Sequence, residues 1–243
     1  MNEDLRNVVL GVLATGVSGS LGWLARTYLW RRKLRRKQAF FGLPGGSECL
    51  LVVNRKAGSD KAVHAVDVSA LLELSALIKD CGARPRIVQH DTARQGLGEV
   101  AEFCIGGPYS NRRMAAHLSN LLPGLTVRVE SEPLEDRAMF TLGTDTYRPV
   151  WGVTEYVVLA RLTGGEGGRP VFLLCGQSAV TNQAAARHLA RNHRALARKH
   201  GADGSFVLLL KVVNSDAYGP DVVELVADIT REARTAPVAA AAT

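Results

Sequence analysis

The sequence predicts an α/β domain, a Rossmann-like three-layer sandwich with a mostly parallel sheet and added antiparallel strands, preceded by one N-terminal membrane-spanning helix. Three observations predict it. Strand-like apolar runs alternate with helix-periodic stretches early in the domain. Later strand-like runs follow one another across glycine-rich turns, as antiparallel strands do. Ahead of both, residues 8–25 (VVLGVLATGVSGSLGWLA) carry no charge and no proline.

That run of 18 residues would extend about 27 Å as a helix, close to the thickness of a bilayer's hydrocarbon core. Trp23, Arg26, Tyr28 and Trp30 follow at the height of an interface, and then Arg31, Arg32, Lys33, Arg35, Arg36 and Lys37. A cleaved signal would carry its cations before the apolar run, and an amphipathic surface helix would need a polar face. The reading is therefore an extracytoplasmic stretch over 1–7, a spanning helix over 8–30 and a basic segment with linker over 31–47. Under the positive-inside rule a cytoplasmic domain follows over 48–232, with a disordered tail at 233–243. Gly11, Thr15 and Gly19, with Ser18 and Gly22, place small residues along the helix, a pattern that admits a homo-oligomer.

The linker is read from Gly42, Pro44, Gly45 and Gly46. Within the domain, CLLVVN (49–54) is apolar throughout, as in a strand covered on both faces. Residues 66–82 repeat Leu, Ala and Ile at helical spacing and stop at Gly82. Residues 84–89 predict a second strand; residues 103–122 predict a third, a glycine turn and a helix from Ser110 to the stop at Pro123. Strands are then expected at 126–130, 138–143, 155–162 and 170–175, the last two as a hairpin. A helix over 181–200 and a strand at 206–214 complete the pattern, while 222–229 fits either a strand or a helix.

Charge distribution removes one class of function. Of the net +7, residues 1–37 supply eight cations against Glu3 and Asp4, leaving the domain close to neutral. A groove that follows a phosphate backbone needs a basic surface on the domain itself, so a nucleic-acid partner is not expected. The four cysteines, Cys49, Cys81, Cys104 and Cys175, are widely spaced and apolar in context, as core residues of a reducing compartment are. No CxxC or histidine spacing indicates a metal, and His188, His193 and His200 are not i, i+4 partners.

The chemistry centres on two similar turns, FCIGGPYSNRRMAAHL (103–118) and FLLCGQSAVTNQAAARHL (172–189). Each has an apolar strand, a glycine turn, Ser/Thr with Asn, and a helix passing through Ala-Ala to His-Leu. Glycine lets backbone approach a ligand, and Ser110 or Thr181 would cap the helix whose amides face an anion. Arg112 and Arg113 stand where the helix dipole disfavours cations, a cost that a bound phosphate or carboxylate would reverse. Pro108 removes one donor, and neither turn matches a known phosphate-loop spacing.

Candidate ligand-binding residues are thus Asn54, Gly106, Gly107, Ser110, Asn111, Arg112 and Arg113, with Gly176, Gln177, Ser178, Thr181 and Asn182 from the second turn, and Arg55 and Lys56 beside the first strand. His90, Asp91 and Glu102 are candidates for acid or base. GQSAV lacks the last glycine of a nucleophile elbow, and no histidine follows His200, so serine hydrolysis is not expected. The expectation is a module that binds or senses a nucleotide or other phosphorylated small molecule, with a nucleotide as the one cofactor suggested. An enzyme on such a ligand, a hydrolase or glycosidase, and a scaffold recruiting a protein partner to the membrane are the alternatives.

Overall fold

Apolar runs long enough for strands but too short for helices build the centre of the molecule. The computed structural model describes residues 3–54, 63, 65–128, 138–163 and 167–237; side chains at 4, 5, 8–10, 12, 14–19 and 66 lie outside that description. The central strands are β1 (Glu48–Val53), β3 (Ala101–Ile105), β7 (Thr154–Thr163), β8 (Pro170–Gly176) and β9 (Phe206–Val213). They are buried almost along their whole lengths. At the edges, β2 (Arg84–Gln89) and β10 (Val223–Asp228) are half-buried or exposed, and Pro85 sits in β2, where a missing N–H is tolerated.

The sheet has the order β10-β9-β7-β8-β3-β1-β2. From β2 to β8 the strands are parallel, and β7, β9 and β10 pair antiparallel, so five of the seven run in one direction. The β7–β8 hairpin forms as its sequence predicts, and 223–228 is a strand rather than a helix. The expected strands at 126–130 and 138–143 do not join this sheet. They form a separate three-stranded sheet from β4 (Leu125–Val127), β5 (Phe140–Leu142) and β6 (Asp145–Tyr147), because three-residue strands with one apolar side cover a face rather than extend it.

Two layers flank the main sheet. On one face lie α2 (Val68–Asp80), behind a short 3-10 turn at Ala65–Asp67, and α4 (Ala179–His200), over Leu51, Phe103, Phe172 and Leu208. On the other lie α3 (Arg112–Leu121), the small sheet and the end helix α6 (Thr230–Arg234), over Val52, Cys104, Leu173 and Leu209. A single-turn helix, α5 (Ser215–Tyr218), links β9 to β10. All four cysteines are buried and free, and burial raises their thiols, Cys81 to about 11 and Cys175 to about 12.

The N-terminal helix departs from the linker reading. It is continuous as α1 over Glu3–Phe41, and Phe40, Phe41 and Leu43 are fully buried in the core. Phe41 packs on Phe103 and Phe172 at 6.3 and 5.5 Å between ring centroids. Arg161, 1% exposed, donates from Nε to the Phe40 carbonyl at 3.0 Å and through its other nitrogens to Gly204 and Ala202 at 2.6 and 2.8 Å. The domain therefore begins at about Phe40, and α1 is clamped into it. At the other end α6 and the buried Ala233 reach into the stretch read as a tail; residues 238–243 lie outside those described.

Among the described residues no helix is long and apolar enough to cross a membrane. Of the uncharged run at 8–25, the side chains at 8–10, 12 and 14–19 lie outside those described. Between residues 21 and 30 α1 is open to its surroundings: Leu21, Trp23, Leu24, Tyr28, Leu29 and Trp30 are each more than half exposed.

Candidate functional site

Neighbouring parallel strands whose following helices go to opposite layers leave a crevice at their carboxyl ends. In this sheet β3 and β8 are such a pair, with α3 leaving to one layer and α4 to the other. The two glycine turns therefore meet. A Cβ on Gly107 would lie 3.7 Å from the Gly176 carbonyl oxygen. Between them opens a cleft of about 350 Å³.

One wall is Gly107, Pro108, Tyr109 and Ser110; the floor is Gly176 and Gln177; the far wall is Val127, Arg128, Ala138 and Trp151. Tyr109 is 63% exposed and Trp151 49%, so two aromatic faces stand at the mouth. The far wall was not read from the sequence, since it comes from the small sheet and the β6–β7 connection, far along the chain. Trp151 was its one local signal.

Each predicted residue has a definite place. Gly106 has φ +104°, and a Cβ there would fall 2.5 Å from Asn54 Nδ2, so only glycine lets β3 end against Asn54. Asn54 Nδ2 donates to Asp67 Oδ2 at 3.3 Å, while its buried Oδ1 has no hydrogen-bond partner among the described residues. Arg55 and Lys56 lie outside those residues.

The caps differ by a residue or more from expectation. Asn111, not Ser110, caps α3: its Oδ1 accepts from Met114 N at 3.0 Å and its Nδ2 donates to the Ile105 carbonyl at 2.9 Å. Ser178, not Thr181, caps α4 in a reciprocal pair with Thr181. Asn182 Oδ1 accepts from Gly176 N at 2.8 Å, fixing the turn. Ser178 also donates to the buried Glu155, which accepts from Gly152 N and Ser215 Oγ at 2.8 and 3.1 Å. Gln177 is structural: its Oε1 accepts from Tyr156 N, and its Nε2 donates to the Ala138 and Tyr147 carbonyls. It ties the cleft floor to the far wall.

The two arginines diverge. Arg112 is exposed, and its N–H donates to His90 Nδ1 at 3.4 Å; Asp91, the next residue after His90, is exposed. Arg113 turns inward beneath the turn. Its Nε and Nη2 reach the Glu102 oxygens at 2.7 and 2.6 Å, and Nη1 and Nη2 also donate to the Ala93 and Gln95 carbonyls at 3.4 and 2.9 Å. His117 Nε2 lies 2.9 Å from the same carboxylate, which is 1% exposed. Burial opposes ionisation of Glu102, but hydrogen bonds from His117 and Arg113 overcome it and hold the carboxyl below its usual value. The negative partner of Arg113 is thus internal, and Arg128 is the cation placed at the cleft.

Glu102, Cys104 and His117 also bring ligand atoms within 4.8 Å of one another, a group that sequence spacing did not reveal. Both Glu102 oxygens already meet a guanidinium, so a metal ion would sit against a fixed positive charge. The arrangement fits an ion-pair network better than a metal centre. Comparison with known proteins found no family model, curated protein or solved structure that matches the chain.

Proposed function

We propose that this protein is a single-pass, membrane-anchored module whose cytoplasmic domain binds or senses a nucleotide or similar phosphorylated small molecule in the cleft between the β3 and β8 turns. The observation that carries the reading is the convergence of both glycine turns, two exposed aromatic rings and Arg128 on one cleft. Aromatic faces stack a base, and a guanidinium with nearby backbone recognises phosphate. A volume of about 350 Å³ sits at the lower end of ligand pockets, which suits a mononucleotide better than a dinucleotide. An acid or base role for Glu102 finds no support, because its oxygens are occupied by Arg113 and His117.

The anchor rests on the uncharged run at 8–25 and the cations after it. The row of exposed Leu, Trp and Tyr along α1 adds to it, since a surface of that kind calls for an apolar cover. The test is thermal denaturation of the full chain with a panel of nucleotides, nucleosides and inorganic phosphate. A ligand of this class raises Tm in proportion to its occupancy. Gly107→Leu places a side chain in the cleft with ordinary contact at Cβ, so it should abolish the rise without lowering the unliganded Tm. No rise with any compound, or a rise that survives Gly107→Leu, removes the cleft from consideration.

A further inference from the structure

A second and larger groove, of about 760 Å³, lies where the end of α1 crosses α4. Lys33, Arg36 and Lys37 line it from α1, and Arg194 and Arg198 from α4, with Phe40 and His193 beneath. Lys33, Arg36, Lys37 and Phe40 recur at helical i, i+3, i+4, i+7 spacing, so burying Phe40 against the sheet turns the three cations towards α4. Lys37 has Asp80 at 3.2 Å; among the described residues Lys33, Arg36, Arg194 and Arg198 have no carboxylate within ion-pairing distance. Folding thus gathers like charges around an apolar floor, an arrangement that favours an anion.

We propose that this groove is a docking site for the headgroup of an anionic phospholipid. The occupant follows from position and charge, and the inference rests on the reading that α1 enters a bilayer. Lys33 and Arg36 stand three and six residues beyond Trp30, about 5 and 9 Å along a helix axis, which is the depth of a headgroup layer beyond an aromatic belt. Basic pockets between helices at that level recognise phosphate-bearing lipids. Because α1 is clamped through Phe40 and Arg161, headgroup contact with α4 would also fix how the domain, and the mouth of its ligand cleft, faces the membrane.

The experiment uses the full chain in detergent, titrated with phosphatidylglycerol, phosphatidylcholine or inorganic phosphate and followed by thermal stability. Phosphatidylglycerol should stabilise the chain and phosphatidylcholine should not. Arg194→Gln with Arg198→Gln should weaken the phosphatidylglycerol response about 30-fold, the effect of two basic groups at an anionic surface. Arg231→Gln with Arg234→Gln, an exposed pair on α6 outside the groove, should leave it unchanged. Equal responses to the two lipids, equal effects of the two variants, or saturation by inorganic phosphate at the same concentration would each overturn the proposal. Carbonate washing of vesicles carrying the same chain reports the anchor separately. A chain that washes off yet prefers phosphatidylglycerol keeps the headgroup site and loses the anchor; one that resists washing without lipid preference does the reverse.

Discussion

A chain begun at Glu48, where the central sheet starts, should not hold a native fold, whereas one begun at Arg32 should. The difference is Phe40, Phe41 and Leu43, each fully buried among Phe103, Phe172 and Phe206. Truncating a buried Phe to Ala costs about 3–5 kcal/mol and a Leu about 2–5. Shared contacts make the three together cost less than their sum, so the total is taken at the bottom of the summed ranges, about 8 kcal/mol. Removing the segment also takes the Phe40 carbonyl from the buried Arg161 guanidinium, which burial already disfavours as a charge. A domain of ordinary stability holds roughly 5–15 kcal/mol, so the loss consumes most of it. Urea unfolding followed by near-ultraviolet circular dichroism compares the two chains. Matching midpoints would show that α1 is a detachable stalk and that the rigid coupling of helix to domain is wrong.

Three further outcomes follow from particular groups of the domain. Arg113→Met should cost about 3 kcal/mol by leaving the buried Glu102 with His117 alone, and the double change Arg113→Met with Glu102→Leu should recover most of it, measured by urea midpoints. Gly106→Ala should cost about 1–3 kcal/mol and weaken ligand binding, since φ +104° strains any Cβ and Asn54 must move; unaltered stability would mean that the turn is more pliant than its geometry. Acid should act in two stages. Burial lowers His188, His193 and His200, so the unfolded chain takes up protons first and stability falls as pH drops below the ordinary histidine value, near 6.5, towards the lower folded values. The depressed Glu102 contributes stability above its unfolded value, near 4.3, and loses it as pH falls through the folded value; Glu102→Gln should flatten this lower limb alone.

Local signals carried the elements well and their long-range company poorly. The apolar runs at 49–54 and 170–175 and the helical spacing of 66–82 are properties of short stretches, and they became β1, β8 and α2. Phe40 and Phe41 stand between a basic run and a Gly-Leu-Pro-Gly-Gly sequence, so composition marked them as linker while tertiary packing made them core. Ser110, Asn111, Ser178 and Thr181 are all competent caps, and sequence alone could not choose among neighbours. Arg113 and His117 lie four apart on α3, and Glu102 and Cys104 two apart on β3; each spacing places a pair on one face, but only the fold brings strand to helix. The far wall of the cleft carries no local signature beyond Trp151.

Trp151 also supplies the most direct test of the ligand reading. The chain holds three tryptophans, so replacing Trp23 and Trp30 by Phe leaves an emitter only at the cleft. Titration of that variant with nucleoside monophosphates should give saturable quenching, absent when Gly107→Leu is added. Emission that stays constant with every nucleotide while the protein remains folded would contradict it.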